Sequence, residues 1–60
     1  MWNKIGRIVS LLASDLHVSP EQALDIFYRS HTNELMRDPA TMLYTFSDRY
    51  ITNEIIKEQQ

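Results

Sequence analysis

Sixty residues with eight acids against six Lys and Arg, a net charge of −2 and no cysteine make one domain without disulfides or thiolate metal sites. At 43% apolar residues and a single glycine the chain is too hydrophobic and too regular for disorder, yet its size lets it bury only about 60% of the surface its unfolded form exposes. Added stability is expected from a partner or a second copy, with a solitary bundle as the alternative, and the scattered Lys4, Arg7, Arg29, Arg37, Arg49 and Lys57 form no basic stripe to follow a phosphate backbone.

Ile5, Ile8, Val9, Leu12 and Leu16 recur at spacings of three and four, which predicts a first helix from Trp2 to Leu16 with one buried face. Gly6 lies inside it, and glycine weakens a helix by about 1 kcal/mol relative to alanine. Either a neighbour approaches closely there or the first turn is frayed. The apolar run over residues 8–13 is interrupted by Ser10 and followed by Ser14 and Asp15, too short for a signal-peptide core or a membrane span. A cytoplasmic location without membrane contact is the resulting expectation.

Ser19, Pro20 and Gln22 spell a helix start: Ser19 can cap, Pro20 suits the first helical position, and Gln22 can reach back to complete a capping box. The second helix so begun has Ala23, Leu24, Phe27 and His31 on its predicted inner face, and places Asp25 and Arg29 four apart for a surface pair. His31, Thr32 and Asn33 are poor helix formers, whereas Leu35 and Met36 restore apolar character before Arg37. A kink or a short extra turn is expected there.

Asp38 and Pro39 repeat the cap-then-proline pattern and begin the last helical region. Met42, Leu43, Phe46 and Tyr50 follow one inward stripe, and Ile51, Ile55 and Ile56 follow another rotated slightly about the axis. Ser47 stands near the phase shift and can cap a separate final helix starting at Asp48, with Lys57 in its last turn. One continuous helix from Pro39 is the competing reading. The expected fold is all-α, a single three- to four-helix bundle over residues 1–60, with Ile5, Ile8, Leu12, Leu16, Leu24, Phe27, Leu43, Phe46 and Ile51 in its core.

Little in the chain suggests catalysis. Ser30 and His31 are adjacent, so on a helix they point about 100° apart, and no glycine turn accompanies them to hold an oxyanion. His17 and His31 stand fourteen residues apart without paired ligand spacing, and Glu54 with Glu58 reads as a solvated helix end. The chain is therefore read as a non-enzyme that needs no metal or cofactor. Leu12, Ala13, Leu16, Val18, Ala23 and Phe27 approximate a helix-turn-helix, in which residues 20–30 would enter the major groove. Glu21 and Asp25 on that reading face oppose nucleic-acid binding, so a helix-turn-helix DNA-binding domain is kept as the alternative.

The aromatic residues carry the stronger signal. Trp2, Phe27, Tyr28, Tyr44, Phe46 and Tyr50 are many for so small a bundle, and half-exposed tyrosines near arginine are typical interface anchors. Tyr44 and Arg49 lie beside the Leu43, Phe46 and Tyr50 stripe. They are the expected partner-binding residues, with Tyr28 an addition from the second helix.

The segment Ala23-Leu24-Asp25-Ile26-Phe27-Tyr28-Arg29-Ser30, followed by Thr32, Leu35, Asp38-Pro39, Thr41, Leu43-Tyr44, Ser47, Tyr50-Ile51 and Glu54, resembles a small bacterial family of unknown function. The resemblance covers residues 8–58. Its motifs are apolar and turn residues, which identify a fold better than an activity. Such proteins resemble those encoded beside ADP-ribosyltransferase-like toxins, and the resemblance implies an antitoxin-like or accessory role with a toxin or enzyme as partner.

Overall fold

The computed structural model describes residues 2–59, and side chains from residue 4 onward, so the expectation for the Trp2 ring lies outside the described residues. Four helices follow one another: α1 (Trp2–Leu16), α2 (Pro20–Arg29), α3 (His31–Arg37) and α4 (Asp48–Glu58), with short 3-10 turns at Pro39–Thr41 and Leu43–Thr45 between α3 and α4. Among the described residues there is no strand. The fold is a small all-α bundle, as the apolar periodicity indicates.

α1 is the central element, packed against α2 on one side and α4 on the other, while α3 lies against α2, α4 and the 3-10 turns. Ile8 and Leu12 of α1, Ala23 and Phe27 of α2, and Ile51 and Ile55 of α4 form the buried core. Each large apolar side chain enclosed there contributes about 1.5–3 kcal/mol relative to exposure. Ile5, Leu16, Val9 and Ile56 pack around it, partly covered.

Local chemistry sets the element boundaries. α1 closes with His17 in the left-handed region, φ 57°, and with the Val18 N–H donating to the Ala13 carbonyl at 3.1 Å. That six-to-one bond marks a Schellman end, usually made by glycine, and histidine is among the side chains that tolerate the conformation. The capping box forms at the next start, with Gln22 N–H on Ser19 Oγ at 3.1 Å and Ser19 N–H on Gln22 Oε1 at 3.0 Å. Arg29 meets Asp25 at 3.2 Å.

The extra turn expected after Ser30 is a separate helix. Ser30 is extended (φ −75°, ψ 147°) and serves two helices at once. Its hydroxyl donates to the Phe27 carbonyl at 2.7 Å and accepts the Asn33 N–H at 3.0 Å, so it ends α2 and caps α3 while buried. His31 is exposed, contrary to the inward position expected of it. It lies beyond the Ser30 break, where the periodicity of α2 no longer applies.

The largest departure is between Pro39 and Phe46. Asp38 caps as expected, its carboxylate accepting the Ala40 N–H at 3.0 Å, but the chain then makes two 3-10 turns separated by Met42 in the left-handed region, φ 53°. The reversal at Met42 destroys the helical register on which the inward stripe depends. Phe46 is 42% exposed and Tyr50 43% exposed, and Leu43 is only partly covered. Leu24 is 39% exposed as well, because Ala23 and Phe27 define the face of α2 that meets α1. Ser47 caps α4 through the Tyr50 N–H at 3.1 Å, so the final region is broken at the predicted residue.

Candidate functional site

The carboxylate of Asp48, at the first position of α4, ties that helix to α1. Lys4 Nζ donates to it at 3.0 Å and Arg7 Nε at 2.5 Å, and the same Lys4 ammonium donates to the Phe46 carbonyl at 2.6 Å. Hydrogen bonds from Arg7 first and Lys4 second hold the Asp48 carboxyl below its usual value, against a smaller opposing effect of burial. This clamp places the first turn of α1 beside the loop that leads into α4.

Beside the clamp, Lys4 and Ile5 of α1, Phe27 and Tyr28 of α2, Asn33, Met36 and Arg37 of α3, and Tyr44 of the second 3-10 turn line a cleft of about 520 Å³. Binding pockets commonly measure about 300–1,000 Å³. Phe27 is fully buried and forms the floor, its ring meeting that of Tyr28 edge-to-face with centroids 5.7 Å apart. The Asn33 side-chain amide donates to the Tyr28 carbonyl at 3.4 Å. Tyr44 is held in place through Thr41, whose hydroxyl donates to the Leu35 carbonyl at 2.6 Å and accepts the Leu43 N–H at 3.1 Å. Tyr28 is 50% exposed and Tyr44 57% exposed, so the two phenols stand half in water beside the buried Phe27 ring.

Two of the three residues singled out from the sequence, Tyr28 and Tyr44, therefore meet at one cleft. Arg49 does not line it. Its guanidinium donates to Asp15 at the end of α1 and reaches Asn53 at 3.5 Å, and so joins α4 to α1. Lys4, Asn33, Met36 and Arg37 carry no such signal in the sequence. Nothing local marks them, since a helix-end arginine and a solvated lysine look alike wherever they occur, and only the packing of α3 against the 3-10 turns and the hold of Asp48 and Phe46 on Lys4 bring them together.

Comparison with protein-family models, curated proteins and solved structures finds no significant match.

The remaining polar clusters serve packing. The Ser30 hydroxyl is committed to Phe27 and Asn33. Glu58, expected at a solvated helix end, turns back to α3 and accepts the N–H groups of His31 at 2.8 Å and Thr32 at 2.9 Å. A second hollow, lined by Val18, Glu21, Gln22, Asp25 and Ile26, occupies the side of α2 that a helix-turn-helix would turn to DNA. Among the described residues no three His, Asp or Glu side chains converge to hold a metal, and no helix is long and apolar enough to cross a membrane.

Proposed function

We propose that this chain is a small protein-binding module whose contact surface is the cleft walled by Tyr28 and Tyr44. The observation that carries the reading is the pairing of two half-exposed phenols with a buried apolar floor at Phe27. Rigid amphipathic rings around a dry centre are what interface hot spots are made of, because each ring brings a large contact area at little entropic cost. Met42, at 60% exposure, and Phe46 add apolar surface on the same connecting segment. A bacterial toxin or enzyme is the partner nominated by the family resemblance, and the role is then that of an antitoxin or accessory protein.

Charge supports a protein partner over DNA. Among the described residues Lys4, Arg7, Arg29, Arg49 and Lys57 are each paired with an acid, which leaves few cations to displace counterions from phosphates. Glu21 and Asp25 stand on the α2 face that would read bases.

The test is to purify the tagged chain with its partner from the host, identify the partner, and rebuild the complex from purified components. Tyr28→Ala and Tyr44→Ala should each weaken it by about 1–2 kcal/mol, while Arg49→Ala leaves it intact. A rebuilt complex that both tyrosine variants bind as tightly as the parent chain overturns the reading, as does sequence-specific DNA binding that survives physiological salt.

A further inference from the structure

Of the six Lys and Arg side chains, five are in ion pairs with Asp or Glu, and the sixth, Arg37, has no acidic partner among the described residues. Arg37 stands at the last turn of α3 and lines the cleft, and no acid lines the cleft with it. The other cation there, Lys4, is already held by Asp48 and the Phe46 carbonyl. In a chain of net charge −2 the cleft is thus a local positive site with an apolar floor. Asn33, 6% exposed, borders the same space, and among the described residues its side chain makes one hydrogen bond, the long one to Tyr28. An amide carries two N–H donors and an accepting oxygen, so donor and acceptor capacity remains for a ligand.

We propose that the cleft binds a short partner segment in which a large apolar side chain is followed or preceded by an acidic one. The apolar group enters between Tyr28 and Tyr44 onto Phe27, Ile5 and Met36, and the carboxylate meets the Arg37 guanidinium, a planar fork that matches a carboxylate with two parallel hydrogen bonds. A phosphorylated segment fits less well, because phosphate readers gather several arginines and only one is uncommitted in this cleft. This inference rests on the protein-binding reading and adds the chemistry of the bound segment.

The test is selection from a random dodecapeptide library displayed on phage, with the folded chain, Arg37→Glu, Arg37→Gln and Tyr44→Ala as parallel targets. Arg37 is exposed at a helix end, so circular dichroism should show all variants folded; Arg37→Gln carries the comparison should the reversed charge disturb α3. The parent chain is expected to enrich peptides with Asp or Glu next to an aromatic or large aliphatic residue. The best of these should bind Arg37→Glu at least about tenfold more weakly, Arg37→Gln more weakly by a smaller factor, and Tyr44→Ala about five- to thirtyfold more weakly. Enriched peptides that need Tyr44 but are neutral or basic, or that both Arg37 variants hold unchanged, overturn the acidic preference and leave the protein-binding reading standing. If no enriched peptide depends on Tyr44, both fall together.

Discussion

The Glu58 carboxylate grips Thr32 twice, accepting its N–H at 2.9 Å and its hydroxyl at 2.5 Å. With the His31 N–H also bound, the last turn of α4 supplies from 26 and 27 residues away the acceptors that a helix start usually finds on its own cap. Partial desolvation pushes the Glu58 carboxyl up, but the Thr32 hydroxyl and the two backbone N–H groups outweigh it, and the group is held below its ordinary value of 4.5. Glu58→Gln should cost about 1 kcal/mol at neutral pH, allowing for solvent screening of an exposed side chain. Because the folded value is the lower one, this stability is fully present above the unfolded value and is lost as pH falls through the folded one. Denaturant melts of both chains against pH should show a constant gap down to about pH 5 that closes below it. A gap that persists in strong acid assigns the effect to shape alone.

Leu12 is fully buried at the centre of α1. Leu12→Ala should cost about 2–5 kcal/mol, most of the stability a domain of this length has at about 0.05–0.15 kcal/mol per residue. The variant should melt at a markedly lower temperature by circular dichroism. An unshifted melting curve contradicts a core centred on this side chain.

Gly6 is exposed, and among the described residues a Cβ added to it meets nothing within 4 Å. The helix runs through it, and no neighbour among the described residues approaches closely enough to require a glycine. Gly6→Ala should raise stability by about 0.5–1 kcal/mol by restricting the unfolded chain, read as a higher melting temperature. Destabilisation would reveal a contact with a group outside the described side chains.

Thr52 is fully buried in α4, and among the described residues its hydroxyl has no hydrogen-bond partner. An unmatched buried hydroxyl costs about 1–3 kcal/mol, and valine fills the same volume without it. Thr52→Val should therefore stabilise the bundle by about 1 kcal/mol in a urea titration. A loss of stability would mean that the hydroxyl has a partner, such as an internal water.

Where one residue's chemistry suffices, the fold is legible in the sequence. Ser19 with Gln22, Asp38 before Pro39, and Ser47 before Asp48 each mark a start the structure contains, because capping depends on groups two or three residues apart. Ile8, Leu12, Phe27 and Ile51 emerge from periodicity for the same reason. Periodicity misplaces Leu43, Phe46 and Tyr50 because apolar spacing assumes a continuous helix, and a left-handed Met42 leaves no mark a methionine would show. Glu58 on α3 and Lys4 on Asp48 join residues 26 and 44 apart, which no local pattern encodes. The cleft shares that origin: Tyr28 and Tyr44 are visible as surplus aromatics, whereas Arg37 becomes distinctive only once the partners of every other cation are known.

The segment between Asp38 and Ser47 is secured by short-range hydrogen bonds: Asp38 caps the first 3-10 turn, Ser47 caps α4, and the Thr41 and Thr45 hydroxyls bond to nearby backbone between them. None of its residues belongs to the buried cluster of α1, α2 and α4. Amide protons here should exchange through local opening, well before those of the central helices. Substitutions at Met42, Tyr44 and Thr45 can therefore accumulate without repacking the interior, so recognition by one wall of the cleft can diverge while the scaffold stays the same.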